Sequence, residues 1–527
     1  AHPDARAAAA AALAQVVEAL GVERVPHVTR RLINAALGKR AADGEGGDVI
    51  EKSGDDGNLA SGASERSGAA QALSLVIVAA DSVDATLREA ILPLSRHSGP
   101  RGREGALWCL RFLARDDPDF GVHVSEALQA VLDGLADDAD AIRDVALLAG
   151  KQLVRAHGDA ELAILLPTLE AKLLGERWRI RAAAAQLVGE LLCLVGDAKR
   201  VGVAQNELDD IDAALGDEAT SRRLRERIGA ASWRNTLASL YIARLDAVAG
   251  VRQAAVEVWK TVVPNTPRAL REILETLVRR LVAMLTPQST AQDDTAVQKP
   301  TRPGAAAAAA DAEASESSES DDDPDLAEAE DADVERQRVA SRALGDVVAK
   351  IGDRVVPELV PLLEESFETG DEATRVGVCL GLAEVCAATP QRQALERLGL
   401  LAPPVAAALC GERATPRVVA HAALAFHALH GQAGPAAVDA VVPLVLKAVD
   451  DAERGAAAAN ALRELAKRRA RELLPVIVPA LLKRPFTDAR GDALGAVADV
   501  AGVALRPFVA PVARAALAEL GAVNGDA

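Results

Sequence analysis

"ASRALGDVVAKIGDRVVPELVPLLEESF", residues 340–367, is the stretch on which the fold turns. Leu344, Val347, Val348 and Ile351 recur at helical spacing, and so do Val355, Leu359, Leu362 and Leu363. Gly352, Asp353 and Arg354 separate the two runs, and Pro357 and Pro361 lie inside the second. Proline in a first helical turn costs little, because its missing N–H has no partner there; placed deeper, it kinks the helix. The stretch therefore reads as a helix, a break and a second, proline-bent helix.

The pattern returns. Residues 165–192 read "LLPTLEAKLLGERWRIRAAAAQLVGELL", and 128–153, 441–467 and 476–502 follow the same plan. An apolar helix, often with Pro near its start, leads into a polar turn with Asp or Thr. An Arg and an Ala-rich second helix follow. The Arg is a ruler: Arg66, Arg103, Arg143 and Arg181 are 37, 40 and 38 residues apart, and Arg342, Arg375, Arg417, Arg454 and Arg490 are 33, 42, 37 and 36 apart. Arg252 stands between the two series, and Arg6 is read as the start of the first. Two helices in nearly 40 residues is the period of HEAT repeats. The fold predicted is all-α, a HEAT-repeat α-solenoid of about eleven helix pairs with an acidic disordered insertion. The Asp ahead of each Arg can cap the inner helix. The Arg either pairs with an Asp of the neighbouring repeat, forming a ladder along the stack, or simply stands at a solvated helix start.

Composition agrees. The 527 residues are 50% hydrophobic but only 2% aromatic, so Ala, Val and Leu must build the core through close helix packing. A chain of this length is too long for one compact core. Thirteen of the acids lie in residues 311–335, which hold no Lys or Arg; without them the formal net charge of −18 falls to −5. The acidity thus belongs to one tract, which argues against a nucleic-acid mimic. The expected organisation is HEAT repeats over 1–286 with loop insertions near 43–64 and 197–227, an acidic low-complexity linker over 287–333, repeats over 334–520, and a tail over 521–527. Residues 43–64 read as a mobile loop, and 197–227 leaves room for a short helix. The linker has too little apolar surface to fold. Its serines, flanked by acids, resemble acidophilic kinase sites, although a passive tether explains them as well. Cys109, Cys193, Cys379, Cys386 and Cys410 form no CxxC pair and read as small buried hydrophobes in a reducing compartment. The longest apolar run found, around Ala69–Ala80, is too short to span a bilayer. The chain begins without Met, its single one being Met284, and is expected to be part of a longer protein.

Signatures of catalysis are scarce: no Walker A loop, GxSxG elbow or HExxH occurs. His421, His427 and His430 cluster, yet Cys410 is the one nearby thiol. No catalytic residue, cofactor or metal site is expected. Three basic clusters stand out as candidate partner-binding residues: Arg177, Trp178 and Arg179; Arg222, Arg223, Arg225 and Arg227; and Lys467, Arg468, Arg469 and Arg471. Arg with an occasional Trp contacts phosphate backbones, RNA or acidic proteins. The plainer reading is exposed helix faces balanced by nearby acids.

"RSGAAQAL" (66–73), "REGALWCL" (103–110), "ERWRIRAAAAQLVGELL" (176–192), "VRQAAVEVWKTVVPNTPRALREIL" (251–274) and "TRVGVCLGLAEV" (374–385) are collinear with one family. They resemble the general-control translational activator, the large protein that switches on the amino-acid-starvation kinase. The resemblance runs from about Pro3 to about Leu520 and is most specific at "VWKTVVPNTPRALREIL". It implies a non-enzymatic, cytoplasmic HEAT scaffold. The implied partners are the ribosome (rRNA and ribosomal proteins), the starvation kinase through its RWD domain, and an ATP-binding-cassette protein, with neither membrane nor DNA among them. That kinase phosphorylates initiation factor two alpha and lowers translation. The match is to an internal-to-late section, reaching the start of the kinase-binding region. The alternative is a generic HEAT or TOG-type adaptor for transport, phosphatase or tubulin, which fold alone does not separate.

Overall fold

The computed structural model describes residues 3–20, 25–37, 62–97, 99–198, 217–286, 324–484 and 486–523. Among them every regular element is helical. Of the insertions expected near 43–64 and 197–227 and the linker expected over 287–333, residues 43–61, 199–216 and 287–323 lie outside the described residues, and 324–333 open the helix Pro324–Thr369. The chain divides into two units, Ala1–Ile273 and Leu274–Ala527.

In the first unit, inner helices Pro3–Leu20, Ala63–Ala79, Pro100–Asp116, Asp140–His157, Trp178–Val195 and Ala249–Val262 each pack on the next, while the intervening helices form a second layer. The expected short helix near 197–227 is Glu218–Ile228. Small residues set the spacing. A Cβ on Gly189 would stand 2.5 Å from Val258 Cγ2, and one on Gly105 would stand 2.4 Å from the carbonyl oxygen of Ala36. A backbone atom cannot swing aside, so the second contact admits only glycine.

The second unit repeats the plan through residues 324–350, Glu372–Ala388, Pro416–Ala433, 455–468 and Asp488–Ala501. The helix Pro324–Thr369 is broken at Ile351 (φ −139°, ψ 27°), one residue ahead of the glycine expected to break it. Gly455–Leu481 is broken in the same way at Arg469 (φ −141°, ψ 45°). Pro357 and Pro361 follow the first break by six and ten residues; Pro475 and Pro479 follow the second by the same intervals. The turn between helices thus precedes the prolines, which fall in the early part of each outer helix. Pro100, Pro416 and Pro435 sit at helix starts, where an N–H is dispensable. The core face of the second run is Val355, Val356, Leu359, Val360 and Leu363, whereas Leu362 is exposed. Burying two adjacent positions per turn gives the outer helix the wide apolar stripe that packing between two neighbours needs.

Asp488–Ala518 has the length and mean hydropathy to cross a membrane, beyond what the Ala69–Ala80 run suggested. The chain nevertheless turns at Gly502 (φ 51°, ψ −131°), so the stretch is two helices joined by a 3-10 segment.

The arginine ladder forms at some steps and not at others. Arg103 reaches Asp137, in the turn before the next inner helix, through Nε (2.6 Å) and Nη2 (3.2 Å). Arg181 holds Asp246 in the same two-pronged way, at 2.7 and 3.0 Å. Arg66 uses a glutamate instead: its Nε and Nη2 bond Glu104 Oε2 at 2.9 and 2.6 Å, and both residues are buried. In the second unit the direction reverses, Arg490 reaching back to Asp450 at 2.5–3.1 Å. Arg143 and Arg454 pair within their own repeat, with Asp140 and Asp451. A second contact recurs. Arg143, Arg181 and Arg252 each donate through Nη1 to the carbonyls six and five residues earlier, stitching the helix start to the preceding turn. Asp137 and Asp246 also accept from the N–H two residues on, and Asp371 caps its helix through Thr374 N.

Two outcomes follow for stability. Removing one partner of a largely buried, two-pronged pair strands the other charge. Arg181→Leu is expected to lower the urea-unfolding free energy by about 3 kcal/mol. Arg454→Ala, which removes an exposed guanidinium from a half-buried partner in the same turn, should shift the unfolding midpoint far less; equal shifts would refute the ladder's role. Burial pushes the Cys109, Cys379 and Cys386 thiols up to about 12. They should resist iodoacetamide at pH 8 in the folded protein and react fully in urea, as followed by mass spectrometry.

Candidate functional site

The helix Glu218–Ile228 starts on Asp217, whose carboxylate accepts from Ala219 N, and ends at Gly229 (φ 87°). Thr220, Ser221 and Leu224 face inward, and Ser221 Oγ donates to the Val262 carbonyl at 2.6 Å. The four arginines divide by helical spacing. Arg223 and Arg227 share one side and pair with Asp197 (3.5 Å) and Asp159. Arg222 and Arg225, three apart, line a cleft of about 300 Å³ with Trp233 and Arg268. There Arg225 meets Glu272 at 2.7 Å and Arg268 meets Glu218 at 2.5 Å. Arg222 is exposed and forms no ion pair among the described residues. Trp233 is buried at the base of the cleft, with its indole Nε1–H unpartnered.

Arg177, Trp178 and Arg179 open the helix Trp178–Val195 and are exposed. The Arg179 guanidinium lies 5.1 Å from the centre of the Trp178 ring, and Trp178 is 45% exposed. An indole so presented can stack on a base or a guanidinium. Glu218–Ile228 packs at the opposite end of this helix, beside Gly196. Eighteen residues of helix therefore hold the two clusters apart by about 25 Å.

The third cluster occupies the break in Gly455–Leu481. Lys467, Arg468 and Arg471 are exposed, and Arg469 is half-buried. Arg469 donates from Nε to His427 Nδ1 at 3.0 Å and from Nη1 to Glu472 at 3.0–3.1 Å. His430 Nε2 lies 3.1 Å from Glu472, and Lys467 lies 3.8 Å from Glu464. The two histidines are thus engaged by an arginine and a glutamate. Among the described residues, no group of three or more His, Cys, Asp or Glu could hold a metal ion. A groove of about 560 Å³ opens between this basic corner and Val500, Ala501, Val503 and Ala504. The plain reading of the clusters, charge balanced by neighbouring acids, describes Arg223, Arg225, Arg227, Lys467 and Arg469 well. Arg222, Arg468 and Arg471 do not fit it. Sequence reasoning missed Arg268, although it lies in the run that carries the family resemblance most specifically. It also missed the Val500–Ala504 wall, for which no local signal exists.

No family model matches the chain. Among curated proteins, it is 31% identical over 445 residues to the human stalled ribosome sensor GCN1, covering 84% of this chain and 15% of that protein. It is 31% identical over 510 residues to the eIF-2-alpha kinase activator GCN1 of Saccharomyces cerevisiae, covering 95% of this chain and 16% of that one. The chain therefore spans about one-sixth of the length of these relatives. A crystal structure of Kap121p covers 92% of this chain and 46% of its own at 15% identity and a TM-score of 0.29, which carries no argument about function.

The histidines at the basic corner make a pH-dependent joint. Burial and the Arg469 charge push His430 down from its ordinary value, with Glu472 opposing. Burial, then Arg469 and Arg468, do the same to His427, whose Nδ1 already accepts a hydrogen bond and so carries no proton. A histidine whose folded pKa lies below its unfolded value, near 6.5, binds fewer protons when folded. Its contribution is intact above that value and is lost as pH falls below it. Melting temperature should therefore drop between pH 7.5 and pH 5.5, and drop less in a His427→Asn/His430→Asn variant. Parallel profiles would exclude the two histidines as its source.

Proposed function

We propose, from the premise that this chain belongs to the GCN1 family, that it is part of a ribosome-associated HEAT scaffold that activates the kinase acting on initiation factor two alpha. The observation that carries this reading is the likeness to an eIF-2-alpha kinase activator along 95% of the chain. A stack of helix pairs suits the task, because its chemistry is binding: successive repeats present side chains along an extended surface, and the partner supplies catalysis. The starvation kinase through its RWD domain and an ATP-binding-cassette protein are the further partners proposed, in the cytoplasm.

The ribosome contact proposed is phosphate recognition by the arginine helix Glu218–Ile228, with Trp178 and Arg179 as a separate point about 25 Å away. Arg222 is the group best suited to reach a phosphate, since its three neighbours Arg223, Arg225 and Arg227 are already paired. Phosphate contacts release counterions, so binding of this kind weakens steeply as salt rises.

Sedimentation with purified ribosomes through a sucrose cushion at about 50 and 200 mM salt tests the reading. The chain is expected to co-sediment at low salt and to be lost at high salt. Arg222→Glu should weaken binding several-fold, and reversal of all four arginines should abolish it. Absence of binding at low salt would remove ribosome contact from this section.

A further inference from the structure

The helix break at Arg469 has an internal control. Residues 349–354 read Ala-Lys-Ile-Gly-Asp-Arg, and residues 467–472, 118 positions on, read Lys-Arg-Arg-Ala-Arg-Glu. Both segments make the same turn, with φ −139° and −141° at Ile351 and Arg469. Both are followed by two apolar residues and prolines at matching places. The turn therefore forms without a cluster of positive charge. Lys467, Arg469 and Arg471 stand where the first corner has alanine, isoleucine and aspartate, and Arg468 stands where it has Lys350, which pairs with Asp346. Arg468 and Arg471 are exposed and form no ion pair among the described residues, so folding does not account for them.

What they face is equally specific. The opposite wall of the groove is aliphatic, and its Val503 is 69% exposed. That wall is positioned by the turn at Gly502, which places the 3-10 segment against the broken helix. A large apolar side chain left in water beside a row of cations suits a ligand with both characters. Carboxylates would meet Lys467, Arg468 and Arg471, while an aliphatic side chain covers Val503. Nucleic acid fits less well: phosphates would suit the basic wall, but the one aromatic ring lining the groove is His427, already held by Arg469, and the facing wall is aliphatic.

We infer that the groove between Lys467–Arg471 and Val500–Ala504 is a docking site for an acidic, aliphatic peptide segment of a partner protein. The site is independent of the arginine helix in the first unit and does not rest on ribosome contact.

Fluorescence anisotropy of the whole chain tests this with three labelled probes: a peptide alternating Glu and Leu, a Glu-only peptide of equal charge, and a single-stranded RNA. The Glu/Leu peptide is expected to bind best, in a salt-sensitive way. Arg468→Glu with Arg471→Glu should weaken it about tenfold or more. Val503→Ser should weaken the Glu/Leu peptide about threefold and leave the Glu-only peptide unchanged. The altered side chains are exposed, so the melting temperature should hold and separate lost binding from lost folding. Unchanged peptide affinity in the arginine variant would overturn the site. So would RNA binding that outcompetes the peptide and falls with the same two substitutions, because the corner would then be a nucleic-acid contact.

Discussion

A guanidinium at the first turn of an inner helix does two jobs in this protein. Through one nitrogen it bonds turn carbonyls of its own repeat, as Arg181 does with Gly175 and Glu176. Through the others it grips a carboxylate of a neighbouring repeat, as Arg181 does with Asp246. The turn carbonyls would otherwise be stranded at the seam between layers, and the carboxylate would otherwise be an unpaired buried charge. Each group makes the other's burial tolerable. With the seam fixed, alanine and glycine can bring the inner helices close, and an aromatic-poor core becomes sufficient. The basic clusters are then carried on exposed turns and helix faces of this frame.

Much of this was legible in the sequence, for a physical reason. A repeat must place the same residue at the same seam each time, so the arginine spacing exposes the period directly. The pairing between repeats was anticipated in kind but not in direction. Arg103 and Arg181 reach forward, Arg490 reaches back, and Arg66 takes a glutamate from the helix itself. Which carboxylate lies within reach depends on how neighbouring helices are offset, and spacing along one strand of text does not encode that. The apolar run of the outer helix does not coincide with its core face for a related reason: Leu362 is exposed, while Val356 and Val360 are buried. A helix packed between two neighbours buries adjacent positions such as Val355 and Val356, so a single narrow stripe is the wrong template.

The candidate sites were half legible. Runs of arginine announce themselves, but a run says nothing of which members are neutralised. Asp159, Asp197 and Glu272 come from distant segments and claim three of the four arginines on Glu218–Ile228. The residues that complete each cleft, Arg268 in one unit and Val503 in the other, are likewise remote in sequence. Local chemistry names the cations, while tertiary structure decides which are left to act.

The uneven ladder has a mechanical meaning. Arg66, Arg103 and Arg181 bolt their helices to the next repeat, whereas among the described residues Arg143 pairs within its own turn. Across the joint between Asp140–His157 and Trp178–Val195, the exposed Arg155 meets the half-buried Glu190 near the far ends of those helices. A load pulled through the first unit would not be shared equally. The joints at Arg66, Arg103 and Arg181 carry a guanidinium tie across the seam, and the Arg143 turn does not. The seams of the first unit are thus tied unequally among the described residues, and the position of a single carboxylate decides which turn has a neighbour to grip.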